Sequence, residues 1–339
     1  MHRVALIGLG MAAKPHVESL RDLAGRADIA AVFSPDSNRR IAFARRHGLF
    51  AADSLDAILA DNTIDAVGIL TPPNTHLDLV ERCAAAGKRI LLEKPLEVSL
   101  AKSEALVAAG EKAGVPIAVC LQQRFRQATL RLKAMLAEGR LGRIISCSTR
   151  IPLWRPQSYY DQPGRGTKAR DGGGVLITQG IHTIDLMLSL AGPVAEVCGY
   201  AATAAHRMES EDLACFAVKY ANGAIGTIEA TTCAYPGGGE TISFVGTNGT
   251  AILSGGGLTA NGLDGGEENF PETKAALGVG ADPMDFPHDF HLAVWRDFFD
   301  AIEEARAPRV CAAEALKAHR LIDAMMRAGD AGGIVHVPS

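Results

Sequence analysis

Arg3-Val4-Ala5-Leu6-Ile7-Gly8-Leu9-Gly10-Met11-Ala12-Ala13 is an apolar run that breaks into glycines and then resumes with helical spacing. Such a stretch reads as a strand, a tight turn and a helix. Gly8 permits the turn, Gly10 lets the backbone come close to a diphosphate, and the small Ala13 lets the helix pack against the strand. The amide groups at the helix start would then face phosphate oxygens. Many glycine turns between a strand and a helix bind nothing, so the motif alone says little. Its place at the head of a repeating strand/helix pattern favours a dinucleotide.

Composition narrows the partners. A chain of 339 residues is long for one domain and comfortable for two. The formal net charge of −4 gives no electrostatic reason to bind nucleic acid or an anionic membrane, so small molecules are expected. No apolar run reaches the length of a membrane span, and Met1-His2-Arg3 passes directly into the first strand without a signal-type segment. A cytoplasmic protein is expected. The seven cysteines are scattered, never in a Cys-x-x-Cys pair, and mostly set in apolar runs, which suits a reducing compartment and argues against a zinc site.

Outward from the glycine turn, the alternation continues. A helix with Val17 and Leu20 ends near Gly25, and Ile29-Ala30-Ala31-Val32-Phe33 reads as a strand buried on both faces. The position that usually carries an acid for the adenosine ribose is Ser34. A serine there leaves room for a 2′-phosphate that Arg39 or Arg40 would meet; alternatively both arginines only begin a solvated helix, with Asp36 as a substitute acid. Strands at 49–50, 66–70, 89–92 and 116–121 bring the count to six and end a doubly wound domain near residue 122. Thr71-Pro72-Pro73-Asn74-Thr75-His76 makes a rigid bend at the carboxyl end of one strand, where ligands bind in open α/β sheets. Glu93-Lys94-Pro95 ends the next.

Beyond residue 122 the pattern changes. Residues 154–170 are aromatic, polar and rich in turn formers, and read as a substrate-facing loop without regular structure. Then Ile177, Ile181, Ile184 and Leu188 form an apolar stripe on a helix expected over 175–191, with Thr178, His182 and Asp185 on another face. Two hairpins follow, turning at Asn222-Gly223 and at Asn248-Gly249. Residues 255–287 give no pattern, and helices are expected from 288 and over 312–328; His291 and Trp295 could face the cleft, with core packing the preferred reading for Trp295.

Gly8-Leu9-Gly10-Met11-Ala12-Ala13, Thr71 to His76, Gly87-Lys88, Glu93-Lys94-Pro95 and Gly172-Gly173-Gly174 with His182 and Asp185 together resemble the glucose–fructose oxidoreductase/inositol dehydrogenase (Gfo/Idh/MocA) family of NAD(P)-dependent oxidoreductases. The resemblance spans essentially the whole chain. It implies an α/β protein: a doubly wound Rossmann domain over 1–122, then an α/β domain over 123–339 with a large, mostly antiparallel open sheet that holds substrate and makes a homodimer or homotetramer. Cys215, Ala217 and Ile225 are expected on the contact face. The cofactor is NAD or NADP, with a slight lean to NADP tolerance, and no metal is implied.

By the same resemblance, Gly8, Gly10, Met11, Ala12, Ser34, Arg39, Thr71, Pro72, Asn74, His76, Glu93, Lys94 and Gln122 would bind the cofactor. Lys94, Arg124, Tyr160, Thr178 and His182 would meet the substrate. His182 would be the general base and Lys94 an electrostatic partner next to a cis Lys94-Pro95 bond, and an acid–His relay would be either absent or supplied by Asp185. Many family members carry aspartate four residues before the histidine, and this chain has Thr178, which points to a different substrate subgroup. The expected activity is hydride transfer between nicotinamide and a sugar, cyclitol, sugar acid or related hydroxy compound. An NAD-dependent glycosidase working by transient oxidation, and a cofactor-binding regulator without turnover, are the alternatives.

Overall fold

The computed structural model describes residues 1–271 and 287–338. In chain order β1 (His2–Ile7) leads into α1 (Ala13–Asp22), β2 (Ala27–Phe33), α2 (Ser37–His47), α3 (Leu55–Ala60), β3 (Ala66–Ile69), α4 (His76–Ala85), β4 (Arg89–Leu92), α5 (Leu100–Ala113) and β5 (Ile117–Val119). The helix starts follow local chemistry. Asp36, Ser54 and Ser99 accept the amides of Arg39, Ala57 and Lys102, each capping contributing about 1 kcal/mol. Gly48 and Gly114 close α2 and α5 in the left-handed conformation.

After a short 3₁₀ turn come α6 (Gln127–Ala137), β6 (Ile144–Pro152), the single-turn helices α7 (Gln157–Tyr160), α8 (Lys168–Asp171) and α9 (Val175–Thr178), and then α10 (Ile181–Ala191). The strands β7 (Val194–Ala202), β8 (Leu213–Tyr220), β9 (Ile225–Thr231), β10 (Thr241–Gly246), β11 (Gly249–Ser254), β12 (Gly257–Gly262) and β13 (Glu267–Phe270) follow. The chain ends with α11 (Asp289–Glu303), α12 (Ala312–Ala331) and β14 (Val335–His336).

Two compact units result: residues 1–122 with 287–316, and residues 123–286 with 317–339. The first holds a five-stranded sheet of order β2-β1-β3-β4-β5, parallel throughout. Every residue of β3 is buried, as the unbroken apolar run required. Five strands stand where six were expected, because residues 49–51 form only an isolated bridge between Val32 and Ala51. The segment 287–316 also differs from the expected division at 122. Trp295 on α11 is fully buried beside Gly68, where an added Cβ would lie 3.3 Å from its ring, so the first unit's core takes α11 in. Trp295 is core, as read.

The second unit is built on a nine-stranded sheet of order β13-β12-β11-β10-β6-β9-β8-β7-β14, antiparallel except for β6 with β9. Both expected hairpins form: Leu213 pairs with Thr231 and Lys219 with Ile225, and Thr241 pairs with Ser254. Strict alternation along β8 sends Ala214, Phe216, Val218 and Tyr220 into the core. In the stretch that gave no pattern, β12 and β13 extend the sheet; residues 272–286 lie outside the described residues. No single helix among the described residues is long and apolar enough to cross a membrane.

The helix expected over 175–191 is two helices. α9 stops at Thr178, and Gly180 separates it from α10. The apolar stripe survives the break, with Ile177, Ile181, Ile184 and Leu188 all buried. The loop at 154–170 likewise carries the single turns α7 and α8.

Candidate active site

In the first unit, the turn after β1 is built as its glycines require. Gly8 has φ +103°, and a Cβ there would lie 2.6 Å from the Leu70 carbonyl carbon, so only glycine fits. A Cβ on Gly10 would meet nothing within 4 Å. The start of α1 has no side-chain cap, Ala12 being the N-cap residue, and Met11 beside it is half exposed. Open space over Gly10 in front of uncapped amides fits the diphosphate of a dinucleotide, which Gly8, Gly10, Met11 and Ala12 would hold.

At the end of β2, Ser34 is buried, and its carbonyl accepts a hydrogen bond from Arg40 Nη1 at 2.9 Å. Arg40 also lies over the Phe33 ring. Asp36 caps α2 through Oδ1. Arg39 is the exposed cation here, its side chain 59% accessible and only 3.8 Å from Asp36.

The bend after β3 is held by Thr75, whose hydroxyl donates to the Pro72 carbonyl and pairs with the Thr71 hydroxyl, both at 2.8 Å. Asn74 follows Pro73 in the 3₁₀ turn. His76 has no accessible surface, and its ring nitrogens lie 3.0 Å from the Pro95 carbonyl, 3.1 Å from that of Leu96 and 2.9 Å from that of Thr71. Burial pushes its pKa down. It ties the Thr71 bend to the segment after β4.

That segment carries Lys94, half buried, joined to Pro95 by a cis peptide bond. Glu93 precedes it with 8% exposure, its Oε1 accepting from His16 Nε2 at 2.9 Å and its Oε2 from the Lys94 amide at 3.1 Å. Its carboxylate is thus committed to the chain itself. Burial is the largest single effect and works against the charge, yet the His16 hydrogen bond and the surrounding charges of His16, His291 and Lys94 together outweigh it and hold Glu93 well below the usual carboxylate range. Gln122, at the end of this unit, is half buried.

In the second unit, Glu211 organises the approach to His182. Its carboxylate accepts from the amides of Gly174 at 3.0 Å and Leu176 at 3.1 Å, and its carbonyl from Val175 at 2.9 Å. A Cβ on Gly174 would lie 1.7 Å from the Glu211 carbonyl oxygen, which explains the glycine run. Thr178 shares its one hydroxyl proton between the Gly174 carbonyl, at 2.6 Å, and the Gln179 side-chain oxygen. Gln179 in turn donates to the Tyr159 hydroxyl at 3.5 Å. His182 is half buried on the first turn of α10.

Asp185 is 1% exposed, and both its oxygens accept from Arg124, at 2.7 and 2.5 Å. Its visible task is to anchor that guanidinium. Tyr160 is 7% exposed, its hydroxyl donates to Thr232 at 2.8 Å, and its ring packs 4.7 Å from His206. Glu211, His16 and the Gln123–Glu240 hydrogen bond at 2.7 Å were not found in the sequence. Nothing in their local spacing marks them, because each partner lies tens of residues away.

Comparison with known proteins agrees with this architecture. Residues 2–121 match the oxidoreductase family, NAD-binding Rossmann fold, and residues 129–252 match the GFO/IDH/MocA C-terminal domain. The chain is 28% identical to scyllo-inositol 2-dehydrogenase (NAD(+)) of Bacillus subtilis, over 74% of this chain and 73% of that protein. It is 29% identical to D-apiose dehydrogenase of Paraburkholderia graminis over 68% of this chain, and spans only 60% of that relative's length. The WlbA dehydrogenase from Bordetella pertussis, solved in complex with NADH and UDP-GlcNAcA, superposes with a TM-score of 0.85 at 28% identity, over 99% of both chains. The parallel Rossmann sheet with its glycine turn, the large mixed sheet and these matches place the chain in the Gfo/Idh/MocA oxidoreductase family.

Proposed function

We propose that the protein is an NAD(P)-dependent dehydrogenase or reductase acting on a secondary alcohol or ketone of a sugar, cyclitol, sugar acid or related hydroxy compound. The observation that carries this reading is the glycine turn, with open space over Gly10 before an uncapped helix start, in a chain of this family. The relatives' names, an inositol dehydrogenase, an apiose dehydrogenase and a dehydrogenase bound to a nucleotide-linked sugar acid, support the substrate class. Nicotinamide, when bound, supplies the hydride acceptor or donor.

The chain's own groups do the rest. His182 takes the hydroxyl proton, a task suited to an imidazole near neutral pH. Lys94, with the Glu93 carboxylate joined to its own amide, stabilises charge on the reacting oxygen. Arg124, pinned by Asp185, presents a fixed guanidinium for a polar substrate group, and Thr178 offers a hydroxyl. Arg39 accepts the 2′-phosphate of NADP, so both cofactors serve. The outer face of the second sheet, where Ile225 is 63% exposed and Cys215 also reaches solvent, covers itself by homodimer or homotetramer formation. Seven free cysteines fit a cytoplasmic setting.

A panel of sugars, inositols and sugar acids, followed by absorbance of the reduced nicotinamide with each cofactor, tests the activity. With a substrate in hand, folded His182→Ala should lose roughly 10²–10⁴-fold in kcat, the range for a positioned acid–base group, at nearly unchanged cofactor affinity. Full activity in that variant would remove His182 from the mechanism.

A further inference from the structure

Within the first unit, four chemistry-bearing side chains converge: His16 of α1, Glu93 after β4, Cys120 after β5 and His291 of α11. All are buried, and their ligand atoms lie within 4.8 Å of one another. Trp295, one turn beyond His291, completes the group.

Hydrogen-bond accounting fixes what this cluster is. An indole N–H only donates, and Trp295 Nε1 lies 3.1 Å from His16 Nδ1. That nitrogen is therefore an acceptor and carries no proton. The imidazole's proton sits on Nε2, which donates to Glu93 Oε1 at 2.9 Å. The other carboxylate oxygen, Oε2, takes the backbone N–H of Lys94 at 3.1 Å. A continuous directed chain thus runs from Trp295 through His16 and Glu93 to the backbone of Lys94. His291, at 3.8 Å from Glu93 Oε1, is pushed down to about 3, mainly by burial, and stays neutral. Burial and the carboxylate push the Cys120 thiol well up, so it too is neutral.

Four His, Glu and Cys donors so close together would also suit a metal ion. The chain of hydrogen bonds argues against one. Metal on His16 Nε2 would move its proton to Nδ1, directly against the Trp295 N–H, and would need the Cys120 thiolate that burial disfavours.

We propose that Trp295, His16 and Glu93 form a positioning chain for Lys94, in which a single His16 tautomer, set by the donor-only indole, aims a buried carboxylate at the Lys94 amide. His16 and Trp295 are positioning residues and touch no reactant. The proposal rests on the reading of Lys94 as the group that meets the reacting oxygen.

The test uses the full chain. Nitrogen-15 spectra of the histidines should show His16 as the neutral Nε2–H tautomer; a proton on Nδ1 overturns the chain. Stoichiometric binding of cobalt(II) alone, with a thiolate absorption band lost in Cys120→Ser, overturns it in favour of a metal. In kinetics, His16→Leu should lower kcat about tenfold to a hundredfold, the scale on which a displaced group costs, with KM changing far less. His16→Gln, whose amide oxygen accepts from Trp295 while its nitrogen donates to Glu93, should restore most of that loss. On a Lys94→Ala background, His16→Leu should add nothing, whereas effects that multiply overturn the positioning role. Should His16→Leu fail to fold, Trp295→Phe keeps a ring in place and removes the donor. A mixture of His16 tautomers is then expected, and an unchanged single tautomer overturns the chain. A fully active Lys94→Ala would sink the reading of Lys94 and the positioning role with it, while the tautomer measurement would still judge the hydrogen bonds on their own.

Discussion

Asp185 offers the most demanding test of the second unit. Its carboxylate is 1% exposed and bonded through both oxygens to Arg124, whose side chain keeps only 10% of its surface, so both charges are largely withdrawn from water. Replacing Asp185 by Leu leaves that guanidinium buried without its carboxylate. Removing one partner of a buried pair costs about 3–5 kcal/mol, whereas replacing both by apolar residues is often close to neutral. For a unit of this size each kilocalorie lowers the melting temperature by about 2–4 °C, so Asp185→Leu should lower the transition of this unit by roughly 6–20 °C. Arg124→Met should cost a comparable amount, and Arg124→Met/Asp185→Leu should recover most of the loss. Calorimetry and urea titration of the four proteins measure the cycle. A single Asp185→Leu cost below about 1 kcal/mol, or single costs that simply add in the double variant, would refute the paired-burial argument. Turnover below the transition separates the roles further. A relay acid for His182 would make Asp185→Leu lose kcat where Arg124→Met does not, and the bidentate geometry predicts that the two lose activity together.

Three further outcomes follow from particular groups. His291 is pushed down to about 3 by burial, below its unperturbed value of about 6.5. Between those values the unfolded chain binds a proton that the folded chain refuses, so this contribution to stability is complete above pH ~6.5 and declines as pH falls toward ~3, by up to about 1.4 kcal/mol per pH unit. Urea titrations from neutral pH downward should accordingly give a shallower loss in His291→Gln, and identical slopes would contradict it. Arg39→Ala should weaken NADP binding about tenfold and spare NAD, the scale of one exposed cation on a phosphate; equal loss of both, measured by calorimetry, would remove Arg39 from the 2′-phosphate. Light scattering at micromolar concentration should report a homodimer or homotetramer, which Ile225→Glu on the exposed sheet face should weaken; a monomer mass for the wild type disposes of the oligomer.

What could be read from the sequence was what local sterics dictate. Gly8 in its turn and the Asn222-Gly223 hairpin each depend on neighbours within a few residues. The break at Gly180 was hidden because the apolar spacing from Ile177 to Leu188 continues across it, and periodicity does not register a bend that keeps the same stripe inward. The return of 287–316 to the first unit was hidden for another reason. It depends on a fit between Trp295 and the space left by Gly68, two residues far apart in the chain and unremarkable by themselves.

Burial divides the residues that the family resemblance singled out, and residue type does not. His76, Glu93, Tyr160 and Asp185 are each at most 8% exposed, and each spends its polar atoms on the chain's own backbone or side chains. Lys94, Thr178, His182 and Arg124 keep part of their surface. Both groups look alike in a motif, because a histidine or carboxylate that supports a site is as polar as one that performs the chemistry. A buried polar group must be matched by partners, while a group that meets a ligand must keep a face open. In this chain the supporting set is tied to the exposed set by short, directed contacts: Asp185 to Arg124, Glu93 to the Lys94 amide, and Glu211 to the turn that leads toward His182. Substitutions in the supporting set should therefore register first in stability and only then, through the partner each one holds, in turnover.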